Sequence, residues 1–140
     1  MKQLRNLALI FGIAFLAIGI AGFIPGLTAP HADPNLRVQG ASGLLFGLFP
    51  VNWLHNLVHV AFGLWGLAVY RYAEQARLYA QAVAIVYAVL TVFGLIPALN
   101  TLFGLAPLYG HVVWLHALLA LVAGYFGFVH REVQTSAATA

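Results

Sequence analysis

The sequence predicts an all-α fold: a four-helix transmembrane bundle built from two tandem αα-hairpin repeats, with a pseudo-two-fold axis along the membrane normal. Three observations predict it. Hydrophobic residues make up 63% of the 140 residues and charged residues 6%, with a mean hydropathy of +0.94. A soluble domain carries roughly a quarter charged residues, so this chain cannot cover a water-facing surface. Four apolar segments recur at about 5–25, 48–70, 77–98 and 111–130, each near the ~20 residues that a bilayer requires. Finally, short motifs return in the same order in both halves of the chain.

The first segment opens as "MKQLRNLALIFGIAFLAIGIAGFIPGL", a basic start before an apolar run. That run, Leu7 to Ile24, exceeds the roughly 7–15 residues of a signal-peptide core, and reads as a retained span. Pro25, Pro50, Pro97 and Pro107 mark span ends or interruptions, since proline lacks an N–H and clashes with the preceding turn. Basic residues choose the orientation. Lys2 and Arg5 precede span one, Arg71 and Arg77 flank the second connection and Arg131 follows span four; only Arg37 lies on the other side. The positive-inside rule then places both termini in the cytoplasm and the loop 28–45 outside. Residues 1–132 form a single membrane domain, and 133–140 ("QTSAATA" after Val133) a frayed cytoplasmic tail.

The repeat pairs "GFIPGL" (Gly22–Leu27) with "GLIPAL" (Gly94–Leu99), "FGLFP" (Phe46–Pro50) with "FGLAP" (Phe103–Pro107), and "WLH" at 53–55 with "WLH" at 114–116. Each half reads span, IP break, loop, FGL-x-P, WLH, span. Two spans per half insert in the same orientation, the parallel kind of repeat, and two αα-hairpins make an up-down bundle. Small residues along helix faces (Gly12 and Gly19; Gly63 and Gly66; Ala120, Gly124 and Gly127) form contact seams, because helices in lipid associate by close packing. Trp53, Trp114 and Tyr109 form one interfacial belt, Tyr70 and Tyr72 the other.

One helix face of span two is polar. Asn52, His55, Asn56 and His59 fall at i, i+3, i+4 and i+7, a continuous stripe that must face the bundle interior, because lipid exposure costs several kcal/mol. Gly63 and Gly66 continue it. By the repeat, His116 is the counterpart of His55; His111 sits at the mouth and His31 in the outer loop. Two readings stay open. The histidines are structural, satisfied by amides and freed carbonyls, or they form a ligand site with His55, His59, His116 and His111 as candidate ligands. Haem b would take two imidazoles from separate helices with Gly63 and Gly124 leaving room for the macrocycle, chlorophyll would take one, and a divalent metal could use the His55–His59 pair. No acidic residue lies in a span to orient the rings, which weakens the metal case.

Composition excludes several functions. With no cysteine there are no thiolate nucleophiles, iron–sulfur clusters or covalent haem attachments. Six dispersed basic residues are too few for a nucleic-acid patch. Lys2 is the only lysine, so no span offers a Schiff base; Glu74, Glu132 and Asp33 lie outside the spans, so none carries a proton relay. "GASG" (Gly40–Gly43) before "FGL" resembles the serine motif of rhomboid intramembrane proteases, with Ser42 as nucleophile. That family has six core helices against four here, and the likeness covers about eight residues.

With "VNWLHNLVH" as its most specific part, the run "GLFPVNWLHNLVHVAFGLWGLA" (Gly47–Ala68), followed more loosely by "GLAPLYGHVVWLHALLALVAGYFG" (Gly104–Gly127), resembles a bacterial family of small four-span integral membrane proteins known only as a domain of unknown function. The resemblance covers most of the chain. It implies a multi-pass bacterial inner-membrane protein and supplies no activity. It also implies an acidic residue shortly before the second "LH", where this chain has His111. The functional expectation is a non-enzymatic accessory or structural subunit, or a homo-oligomer, in contact with lipid. A pigment- or metal-binding protein is the alternative, and a rhomboid-like protease a remote one.

Overall fold

A computed structural model describes residues 2–130; Arg131 and the tail 133–140 lie outside the described residues. Helix α1 spans Lys2–Ala21, α2 Trp53–Val69, α3 Ala73–Leu95 and α4 His111–Gly124, the last continued by a π-helical turn over Tyr125–Val129. Three of these, α1, α3 and α4 with its continuation, are long and apolar enough to cross a membrane. The apolar helix α2 has 17 residues, about 26 Å at ~1.5 Å per residue, against a hydrocarbon core of ~30 Å.

The all-α expectation needs one correction. Between α1 and α2 the chain forms a short 3-10 turn, Pro25–Leu27, and then a three-stranded antiparallel sheet in the order β1 (Thr28–Pro30), β2 (Gly43–Leu45), β3 (Phe49–Val51). Thr28 pairs with Leu45, and Leu45 in turn with Phe49. Pro30 and Pro50 sit in β1 and β3, the two edge strands, where a missing N–H is tolerated. The stretch expected to open span two at residue 48 is instead the end of the hairpin turn followed by β3. Pro50 cannot sit in a helix interior, and Asn52 caps the helix that begins at Trp53.

Helices α1 and α2 pair along the glycine seam. A Cβ on Gly63 would lie 2.5 Å from the Leu16 backbone N, and one on Gly66 would lie 2.8 Å from the Ala8 carbonyl oxygen. Nothing larger than hydrogen fits there. Gly127 is similarly close to Gln81 on α3, whereas a Cβ on Gly124 would make an ordinary 3.7 Å contact with Ala84. The core between the helices holds Leu4, Phe11, Phe15, Tyr79, Val83, Tyr87 and Ala123, with the Phe15 and Tyr87 rings stacked at 5.3 Å.

Both FGL motifs adopt the left-handed backbone: Phe46 (φ 52°) with Gly47 (φ 71°), and Phe103 (φ 59°) with Gly104 (φ 87°). The first closes the β2–β3 hairpin. The second reaches across to the outer loop, its Gly104 carbonyl accepting from the Arg37 and Val38 N–H groups at 2.7 and 3.4 Å. At the opposite end, Arg5 Nε donates to the Tyr70 carbonyl at 3.3 Å, and Arg77 donates to the Gly127 and His130 carbonyls at 3.1 and 3.3 Å. Those carbonyls lie in and just after the π turn, at the helix C-terminus, where the last carbonyls have no intrahelical partner.

Candidate functional site

The polar residues of the FPVNWLHNLVH segment are all inside. Asn52 is 0% exposed, Asn56 1%, His59 5% and His55 8%; His116 on α4 is 2%. Such burial requires partners, because an uncompensated polar group costs a few kcal/mol.

Asn52 is fully committed. Its side-chain oxygen accepts the His55 N–H at 2.9 Å, the N-cap bond of α2, while its Nδ2 donates to the Val38 carbonyl at 3.0 Å and the Leu105 carbonyl at 2.8 Å. One amide therefore joins the outer loop, the start of α2 and the loop before α4. The sequence placed Asn52 on the helical stripe; the structure places it at the cap, one residue ahead of the helix. Asn56 packs against Gly22, where a Cβ would overlap its amide, and its Nδ2 has no hydrogen-bond partner among the described residues.

The three buried imidazoles meet. His55 and His59 stack at 4.7 Å between ring centroids, as i, i+4 neighbours on α2 must, and His116 stands 6.0 Å from His55 across the bundle. His59 Nδ1 lies 3.0 Å from the His55 carbonyl. A carbonyl only accepts, so Nδ1 carries the proton. The Nδ1 atoms of His55 and His116 are buried without a hydrogen-bond partner among the described residues. Around the cluster, Tyr87 meets His116 edge-on at 4.9 Å and Phe15 meets His59 at 5.6 Å. Tyr87 and Phe15 lie outside the sequence-derived site. Nothing in the sequence pairs α1 and α3 with the stripe, although a tyrosine deep in an apolar span was a usable signal. His111 stays apart, exposed at the start of α4 with its ring 6.4 Å from Phe49.

Two apolar cavities flank the trio, and His55, His59 and His116 line both. One, about 60 Å³, lies towards Ile18, Phe49 and Leu115; the other, about 160 Å³, lies between α2 and α3 towards Val58, Val86 and Leu90. Each is smaller than the ~300–1,000 Å³ of a preformed cofactor pocket, so a haem or chlorophyll macrocycle has no ready-made space here. Among the described residues no group of three or more His, Cys, Asp or Glu side chains is placed to hold a metal ion. The imidazoles stack and tilt past one another instead of converging. Ser42 Oγ is buried with no hydrogen-bond partner among the described residues. The cluster's chemistry is hydrogen bonding by neutral rings; a buried imidazolium with no carboxylate beside it would be costly.

Outside the helices, Asp33 organises the long loop. Its Oδ1 accepts from the Asn35 N–H at 2.8 Å and the Asn35 side chain at 3.0 Å, and the Tyr109 hydroxyl lies alongside without closing a full hydrogen bond. Burial alone would raise the Asp33 carboxyl, but Asn35, Tyr109 and the nearby His31 outweigh it and hold it below its ordinary value of 3.8. Burial and the facing Asp33 carboxylate push the Tyr109 hydroxyl up.

Fold and site together define an apolar helical bundle, with membrane-spanning capacity, closed around a histidine–asparagine cluster. The chain belongs to the family described as Domain of unknown function (DUF4383), whose model matches residues 5–129. No curated protein and no solved structure gives a significant match.

Proposed function

We propose that the chain is a non-enzymatic four-span protein of the bacterial cytoplasmic membrane, both ends cytoplasmic, that works by packing. It serves as a homo-oligomer or as an accessory subunit of a larger membrane complex. One observation carries this reading: every helix keeps large apolar side chains on its outside. Ile10, Leu64, Leu78, Trp114 and Leu121 are 61, 54, 60, 69 and 73% exposed. Those faces are left for lipid or for neighbouring helices.

The orientation draws support from Arg5, Arg71 and Arg77 gathering at the end that carries the N-terminus, with Arg37 at the sheet end. The shared left-handed Phe–Gly conformation of the two FGL motifs supports a duplicated hairpin and its pseudo-two-fold axis. Helix α2 supplies the remaining span. The test is recovery from native membranes in mild detergent after cross-linking. A defined oligomer or a stoichiometric partner chain is expected; a monodisperse monomer with no cross-linked neighbour would defeat the reading.

A second reading is favoured by a separate observation. The rings of His55, His59 and His116 line two apolar cavities, which supports a small-ligand module embedded in the bundle.

A further inference from the structure

We infer that the larger cavity takes the ring head of a lipid-soluble phenol, a single six-membered ring bearing a hydroxyl and an apolar tail, with the hydroxyl held by the histidine trio. This inference rests on the small-ligand reading above. Three features of the site define the ligand.

The first is size. A cavity of about 160 Å³ matches the ~150 Å³ that accommodates one benzene ring in an apolar interior, and is too small for a fused system.

The second is access. Val58 on α2 and Val86 on α3 line the cavity and are 38% and 36% exposed, so its mouth lies on the lipid-facing side between those helices. A ligand enters from the bilayer and leaves its tail there.

The third is the pattern of donors and acceptors. His59 gives its Nδ1 proton to the His55 carbonyl, so in the neutral ring Nε2 keeps its lone pair. The Nδ1 atoms of His55 and His116 are buried and have no hydrogen-bond partner among the described residues. The acceptor that the trio offers a ligand is the His59 Nε2. A hydroxyl can donate to that lone pair, whereas a pure acceptor would face it.

The experiment uses the whole chain in lipid nanodiscs, titrated with 4-nonylphenol, nonylhydroquinone and nonylbenzene. Binding is read by calorimetry, together with the imidazole 15N resonances. Saturable phenol binding is expected, about tenfold tighter than nonylbenzene from one neutral hydrogen bond, with the His59 Nε2 resonance shifting only for the hydroxylated probes. Hydroquinone binding tighter than phenol identifies a quinol as the source, and equal binding a monophenolic lipid. His59→Phe should bring phenol affinity down to that of nonylbenzene. Val86→Trp, which leaves the imidazoles in place and blocks the mouth, should abolish binding of all three. Nonylbenzene binding as tightly as phenol would overturn hydroxyl recognition and leave the small-ligand reading standing. No saturable binding above that of empty nanodiscs would end both.

Discussion

Asn52 carries three bonds from one side chain, and the two ends of its amide can be separated by substitution. In Asn52→Ala the N-cap bond to the His55 N–H is lost, which costs about 1 kcal/mol. The Val38 and Leu105 carbonyls also lose their donor, at about 1 kcal/mol each, since the site is fully buried and water does not replace the amide freely. The expected destabilisation is about 3 kcal/mol. Asn52→Asp is the sharper variant. Aspartate caps a helix as well as asparagine does, so a residue that only capped would be rescued by it. Here the second carboxylate oxygen would face two carbonyls with nothing to donate, and Asn52→Asp should be at least as damaging as Asn52→Ala. Unfolding in mixed micelles followed by circular dichroism gives the ranking, and amide exchange at residues 53–56 shows whether the start of α2 opens. Parental stability in Asn52→Asp would refute the bridging role.

Two further expectations are independent of the first. Gly63→Ala must push α1 from α2, since its Cβ would sit 2.5 Å from the Leu16 N, and should cost about 1–3 kcal/mol; Gly124→Ala, whose Cβ would meet only Ala84 at 3.7 Å, should be neutral or stabilise by up to about 1 kcal/mol through helix propensity, and equal unfolding midpoints would contradict the seam. The Asp33 carboxyl is held below its ordinary value in the folded loop, so its contribution is present above about pH 4 and lost as pH falls through the folded value. Limited proteolysis of the 31–42 loop should accelerate at pH 3 in the parent, and Asp33→Asn should abolish that pH dependence.

The sequence made the helices legible because their apolar runs are long and free of proline. It made the buried stripe legible because His55, Asn56 and His59 fall on one face at helical spacing. The approach of His116 to His55 could be anticipated only through the repeated WLH, for nothing local to either histidine marks a partner. The sheet was not legible. Its strands are three residues long and carry prolines at both edges, and the last of them is apolar sequence reaching to within one residue of α2, so hydropathy alone extends the span back to residue 48. A cap reading of Asn52 after Pro50 would have set the boundary correctly. The cavities depend on how α2, α3 and α4 pack, a tertiary property with no signature in spacing.

The four-span arrangement turns on α2, whose 17 residues are fewer than the 19 of α4 with its π-helical continuation. The chain has no cysteine, so single-cysteine variants Ala32→Cys and Gln75→Cys, both at exposed positions, can be labelled on intact cells with a membrane-impermeant maleimide. If α2 crosses the membrane, the two sites lie on opposite sides: position 32 labels from outside, and position 75 only after the cells are opened. Labelling of both from the same side would show that α2 does not cross, and would contradict the four-span protein proposed here.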